Sequence, residues 1–370
     1  MWFSILVTIS IFIIGKNGKI GAVAPIFCYD RDMEAYYYSK MNKTQQNIYH
    51  AMKVGLVKLE PSFAIPKTDG GELQEIFFKL RLDHPEIFYA VGYRYKFYQE
   101  ASHVLFIPEY LFTKKKVVEQ GQMMNARVSK LAAPLKGKSE KEKEQAIHDF
   151  ICQNVRYDKL KKPYSHEIIG PLGHGVSVCE GIAKTVKVLC DAVGLWCIIA
   201  ISEANPEKGI KYRHAWNIIR IEGKYFHLDA TFDNTLGGGE MVRYDYFNLS
   251  DQQVFKDHEP VIYPVPKCES KEHFYYREKK LSFTKMEDVK KRVPQAIRKK
   301  KPLIFHWRGG HLTQQVLADL VACMEQAARE KERHASISLN RPQGVFNVTF
   351  AEQLPGSELL FAKANEGECL

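Results

Sequence analysis

The stretch GVSVCEGIAKTVKVLC, residues 175–190, decides how this chain of 370 residues is read. From Cys179 onward, Ile182, Ala183, Val186, Leu189, Ala192 and Val193 recur at spacings of three and four until Gly194, the period of one buried helix face. A helix therefore opens near Cys179, and Gly194 is its expected C-terminal stop. The thiol then sits at the positive end of a helix. Backbone N–H groups and the macrodipole stabilise a thiolate there and can bring a cysteine pKa from about 8.5 into the range of roughly 3.5 to 7.5. The same N–H groups can receive an oxyanion.

Two later stretches supply possible partners for that thiol. Residues 212–221 (YRHAWNIIRI) and 224–231 (KYFHLDAT) are rich in β-branched and aromatic residues, and Glu222-Gly223 between them reads as a two-residue hairpin turn. With that turn, Ile221 opposes Lys224 and Trp216 opposes Asp229. His214 projects from the same face as Trp216, a diagonal neighbour of Asp229 at a Cβ separation of about 7–8 Å. Taken singly, Cys179 reads as a small core hydrophobe, His214 as a satisfied strand residue and Asp229 as a turn or cap. Together, with Gly175 and Gly181 around the cysteine, they form the set of a nucleophile, its base and the carboxylate that orients the base.

The blocks GVSVCEGIAKTVKVL, RHAWN and FHLDATFDN resemble, in order and spacing, the three core blocks of the transglutaminase-like superfamily. YDYFNLSDQQVFKDHE (244–259), NVRYDK (154–159) and DHPEIFY (83–89) resemble segments of its bacterial members. The main resemblance covers roughly residues 140–262. It implies a papain-like α+β core, a helix bearing Cys179 packed on an antiparallel sheet, with Cys179 as nucleophile, His214 as base and acid, and Asp229 as the orienting carboxylate. Glu180 follows the cysteine, as in the bacterial and peptidase-like branches, where the animal cross-linking enzymes carry Trp. The implied activity is cleavage or transfer of an amide acyl group through a Cys179 thioester, with hydrolysis preferred over transamidation of protein glutamine. No cofactor or metal is implied. A cell-surface binding or scaffold protein that keeps the fold without turnover is the alternative.

The remainder of the chain frames this core. Composition is that of a folded protein, 45% hydrophobic and 26% charged, which excludes a disordered chain. Residues 2–14 (WFSILVTISIFII) form an apolar run short of the roughly 20 residues of a membrane span, so 1–24 reads as a signal peptide or N-terminal anchor. A secreted or cell-surface protein is expected, a cytoplasmic one being the alternative. Residues 25–135 read as an α/β module with an aromatic hairpin, 136–266 as the catalytic domain, 267–301 as a basic linker and helix, and 302–370 as a second small α/β module. The expected helix-strand-helix-strand-strand order is the same in both flanking modules, which suggests two copies of one unit.

In the catalytic domain, Ser139 and Glu142 form a capping box for a helix with Ile147, Phe150, Ile151 and Val155 on one face. Residues 159–175 read as a loop, with His166 and His174 as candidates to line a cleft. Residues 267–301 hold thirteen Lys and Arg against five Asp and Glu, and the chain carries +10 overall. Such a segment can hold an anionic cell-envelope polymer, but aromatics other than Phe274, Tyr275, Tyr276 and Phe283 do not interleave it as a nucleic-acid surface requires, so no specific nucleic acid is expected. The expected substrate is a protein or peptide. Eight cysteines without CxxC spacing exclude a disulfide framework and argue against a structural zinc; Cys152, Cys190 and Cys323 fall on helix faces and are expected to be inert.

Overall fold

Helices fall where capping chemistry and periodicity coincide. In the computed structural model, which describes residues 35–97, 100–239 and 241–352, α2 (Lys43–Val57) follows the short α1 (Tyr36–Ser39) and is capped by Asn42. The Asn42 side chain accepts the Gln45 amide at 3.0 Å and the Gln45 side chain reaches back to the Asn42 amide, a complete capping box. The expected signal segment 1–24, with Cys28 and Cys369, lies outside the described residues. Among the described residues no helix is long and apolar enough to cross a membrane.

The chain divides into two units, Met1–Pro134 and Leu135–Leu370. In the first, β1 (Phe63–Pro66), α3 (Gly70–Asp83), β2 (Ala90–Phe97), β3 (His103–Tyr110) and α4 (Lys114–Ala132) complete the elements. The sheet order is β1-β3-β2, antiparallel throughout. Its aromatics are largely structural: Tyr93 stacks on Phe106 at 4.9 Å and Phe106 is fully buried, whereas Tyr95 and Phe97 stay exposed.

In the second unit, α5 (Glu140–Asn154) opens on the Ser139/Glu142 capping box. The paired strands β4 (Arg156–Tyr157) and β5 (Val176–Ser177) flank residues 159–175, where a 3₁₀ turn at Pro163–His166 and a π-helical turn at Gly170–His174 replace the expected loop. The helix α6 (Cys179–Ala192) packs against an antiparallel sheet of β6 (Cys197–Ser202), β7 (His214–Ile221), β8 (Lys224–Leu228) and β9 (Phe247–Leu249), in that order. This is the α+β arrangement expected for the core. The sheet is buried on both faces, with the consecutive residues Ile198 and Ile199, Ile218 and Ile219, and Phe226 all buried. The helices α7 (Ala230–Gly237), α8 (Asp251–Val254) and α9 (Tyr275–Glu278) lie along the return of the chain.

The rest is β10 (Ser282–Phe283), α10 (Met286–Arg298), β11 (Leu303–Trp307), α11 (Gln314–Arg329), β12 (His334–Asn340) and β13 (Val345–Ala351), around a core of Val289, Val293, Phe305, Leu320, Met324 and Phe346. Its sheet order is β10-β11-β13-β12. Apart from β10, the arrangement α10-β11-α11-β12-β13 with order β11-β13-β12 coincides with α2-β1-α3-β2-β3 with order β1-β3-β2. The segment 267–301, expected as a basic linker and helix, is packed rather than solvated: Cys268, Phe274 and Tyr276 are buried, and the Tyr276 hydroxyl donates to Asp245 at 2.8 Å.

Candidate active site

The helix α6 begins at Cys179 itself, and its N-cap, Val178, supplies no side chain to close the first turn. Gly181 is required behind the thiol, because a Cβ there would collide with the Ser165 carbonyl oxygen and the Ser177 hydroxyl. This close approach seats the helix start against the strand and turn that precede it. Cys179 is partly exposed, and the helix ends as expected, with Gly194 in the left-handed region at φ 69°.

The β7–β8 hairpin turns on Glu222 and Gly223, both with positive φ (50° and 79°), as a type I′ turn demands. Ile221 pairs with Lys224 and Asn217 with Leu228, the register in which Trp216 would face Asp229 one step further on. His214 starts β7, and its Nε2 lies 2.6 Å from Asp229 Oδ2. Cys179 lies close enough to the His214 ring to help raise its pKa, and with Nε2 on Asp229 it is Nδ1 that is left for the sulfur. Cys179, His214 and Asp229, read from separate stretches, are thus brought together. Aromatic packing holds the imidazole in place: Trp216 stacks on it at 5.7 Å and Phe232 tilts against it at 4.8 Å, leaving its side chain 17% exposed.

Asp229 does two jobs. Its Oδ1 caps α7 by accepting the amides of Thr231 (2.8 Å) and Phe232 (3.1 Å), while Oδ2 faces His214 and, at 2.9 Å, His258 Nε2. Burial works against the charge on Asp229, yet the two histidines hold its pKa well below the usual carboxylate range. Burial likewise works against a charged His214, but the Asp229 carboxylate and the Cys179 thiol raise its pKa to about 10. His258 is buried, which disfavours its charged form, but Asp229 and Asp257 raise its pKa, with Asp257 on Nδ1 at 2.9 Å. His258 escaped the sequence reading: it lies in a segment without strand or helix period, and only folding brings it to Asp229.

A second set of polar groups supports the nucleophile helix from below. Lys184, fully buried, pairs with Glu167 (2.8 Å) and Glu180 (2.7 Å), and the other Glu180 oxygen faces His166 Nδ1 at 3.1 Å. His166 therefore engages the residue after Cys179, whereas His174 packs on Tyr164 at 4.4 Å. Under the sheet, Trp216 Nε1 donates to His227 Nδ1 at 2.9 Å and His227 Nε2 meets Asp251 at 2.8 Å. His214, Asp229 and His258 form one group of donor atoms close enough to surround a metal ion, and His227, Asp251 and Cys268 another. Both groups are joined internally by hydrogen bonds of ordinary length, which accounts for their convergence.

Residues 129–230 match the sequence profile of the transglutaminase-like superfamily, a span that contains Cys179, His214 and Asp229. No curated protein sequence matches the chain. Solved structures similar to it include a TGase (11% identity, 46% of this chain and 50% of that one, TM-score 0.27) and a proposed cysteine protease from Cytophaga hutchinsonii (15%, 38% and 61%, TM-score 0.25). A third is a proposed protease from Parabacteroides distasonis (18%, 37% and 30%, TM-score 0.23). The match thus spans less than two thirds of each of these chains.

Proposed function

We propose that the transglutaminase-like domain at residues 129–230 makes this chain a cysteine acyl-transfer enzyme that attacks amide bonds of a protein or peptide, with hydrolysis as its outcome. One observation carries the reading: His214 Nε2 is held by Asp229 at 2.6 Å, and Cys179, at the start of α6, is close enough to help raise the pKa of the same ring. An imidazole placed in this way can take a proton from sulfur while the carboxylate stabilises the imidazolium.

The Cys179 proton passes to His214 Nδ1, and the sulfur attacks the substrate carbonyl carbon. The resulting oxyanion is received by the amide of Cys179 at the open helix terminus. The tetrahedral adduct collapses with loss of the C–N bond, and His214 gives its proton to the departing amine. Water, losing a proton to His214, then attacks the thioester, and the thiol and a free carboxylate are restored. With its pKa raised to about 10, His214 retains the proton taken from Cys179 until the departing amine receives it. Asp229 keeps the ring charged and in register. Secretion is part of the proposal and rests on the apolar run at 2–14.

Limited alkylation with iodoacetamide at about pH 6 tests the site, with each labelled cysteine located by mass spectrometry. Labelling confined to Cys179 and weakened in His214→Ala is the expected result; labelling no faster at Cys179 than at Cys323 would overturn it and favour a binding scaffold. Incubation with peptide amides then separates the chemistries: ammonia release without added amine means hydrolysis, and incorporation of a primary amine means transamidation.

A further inference from the structure

The edge of the sheet where β10 lies parallel to β11 carries a concavity that the proposed chemistry does not use. The His306 amide donates to Leu281 O at 2.9 Å and the Arg308 amide to Phe283 O at 2.8 Å, so the end of β11 is held beside the chain leaving α9. A cavity of about 390 Å³ opens there, lined by Arg277, Lys280, Ser282 and Arg308. Lys280 is fixed by a left-handed backbone (φ 55°) with its amide on Arg277 O at 3.1 Å.

These three cationic side chains converge on one concavity, unlike the surface cations of this unit that sit against carboxylates. Lys141 pairs with Glu278, Lys208 with Glu259, Arg213 with Glu203 and Arg333 with Glu352. Arg277, Lys280 and Arg308 pair with no carboxylate among the described residues. Three like charges converging on one concavity repel each other, and a fold tolerates that most readily where an anion offsets the field. His306 registers the field: its Nδ1 lies 2.8 Å from Ser282 Oγ, and burial, together with Arg277, Lys256 and Arg308, pushes its pKa down to about 4.

We propose that this concavity binds a phosphate group bearing at least two negative charges, held by the guanidinium forks of Arg277 and Arg308, the Lys280 ammonium and the Ser282 hydroxyl. Two planar forks match phosphate oxygens in bidentate fashion, and the ammonium adds a point charge. The volume lies within the range of small-ligand sites and exceeds one phosphate, which suits a pyrophosphate or a phosphate carried on a larger group. Among the described residues, none of those lining the cavity is an aromatic that could stack a base. The proposal is independent of the acyl-transfer reading and replaces the diffuse basic segment 267–301 with a defined pocket that includes Arg308, outside that segment.

Calorimetric titration of the full chain with inorganic pyrophosphate tests it, beside sedimentation with phosphatidylcholine vesicles with and without phosphatidic acid. Saturable pyrophosphate binding, weakened about tenfold or more in Arg277→Gln and Arg308→Gln, is the expected result and indicates a soluble phosphorylated ligand. Binding only to the phosphatidic acid vesicles, with the same dependence on both arginines, supports the same pocket with a lipid headgroup as its source. Lys280→Asn, which suits a left-handed backbone, carries the test should either arginine variant fail to fold, and Cys179 alkylation serves as the folding control. Equal weakening by Lys299→Gln and Lys300→Gln, or no saturable binding to either probe, would overturn the pocket.

Discussion

Of the cysteine-histidine-aspartate sets in the second unit, two invite comparison, and only one is arranged to move a proton. At the candidate site, Cys179 opens α6, is partly exposed, and meets a histidine whose other nitrogen holds Asp229 at 2.6 Å. The second set is Cys152, His148 and Asp233, all buried. There a single nitrogen, His148 Nε2, faces both the sulfur (3.6 Å) and the Asp233 carboxylate (3.1 Å), while Nδ1 turns to Asp149 at 3.2 Å. The sulfur must therefore compete with the Asp233 carboxylate for the one nitrogen it faces. Cys152 also lies in the last turn of α5, the negative end, where a thiolate is disfavoured, and burial pushes its thiol pKa up. Residue types alone therefore do not make a nucleophile; helix polarity, exposure and the division of the imidazole do.

The sharpest way to break this comparison is to delete each sulfur. Cys179→Ala is expected to abolish amide turnover, a loss of about 10³-fold or more, and to remove the alkylation seen at low reagent dose. Cys152→Ala should leave both intact. Turnover that survives Cys179→Ala, or falls with Cys152→Ala in a folded protein, would reverse the assignment of the two sets.

Exchanging the carboxylates comes next. Asp229→Asn should lower turnover by about 10³-fold with the fold retained, since it removes the charge that holds His214 protonated. Asp233→Ala should act on stability, by about 3–5 kcal/mol, seen as a shift of the urea midpoint. Asp233 accepts the amides of Asp245 (2.7 Å) and Tyr246 (3.1 Å) besides facing His148, and Asn234 beside it donates to Val155 O at 2.8 Å, so this turn of α7 clamps the end of α5. An Asp233→Ala protein of unchanged stability would show that the second set is not structural.

How far the sequence told these sets apart follows from which signals are local. The helix start at Cys179 and the hairpin register through Glu222-Gly223 were legible because each rests on a short periodic stretch and one turn. Asp229 was legible only as a consequence of that register. Cys152 could be placed on a helix face, but its neighbour His148 and the clamp through Asp233 and Asn234 depend on α5 meeting α7, about 80 residues apart in the chain. His258 is of the same kind, being 29 residues from Asp229. The basic segment misled for a different reason: its aromatics Phe274 and Tyr276 are visible in the sequence, but that they anchor it in the fold is not, and its cationic cluster is completed by Arg308 beyond its end.

pH sharpens the comparison further. The folded pKa of His214 lies at about 10, above its ordinary 6.5, so its contribution to stability is complete below about pH 6.5 and is lost as pH rises through about 10. Asp229 has the opposite sign: its pKa is depressed from 3.8, so its contribution is complete above that value and is lost as pH falls through the lower folded value. Urea midpoints should therefore decline on the alkaline side in the parent chain, and this limb should be missing in His214→Phe. An alkaline limb unchanged by that substitution would mean that another group carries it.

The smallest effect concerns the second histidine on Asp229. His258 contributes one charge-assisted hydrogen bond at 2.9 Å to the same oxygen that holds His214, and Asp257 fixes its other nitrogen. Its role is positioning, since nothing places it against the sulfur. Removing that bond in His258→Phe should cost turnover about tenfold, the effect of one hydrogen bond to a charged group. The loss should fall on kcat rather than KM. The alkaline limit of activity should also shift, because Asp229 loses a competitor for the same lone pairs and binds the His214 imidazolium more tightly, moving the limb upward. His258→Gln, which can still donate to Asp229, should restore most of the rate. A purely structural histidine would lower stability without moving the pH limb, and that outcome would leave Cys179, His214 and Asp229 to account for the chemistry alone.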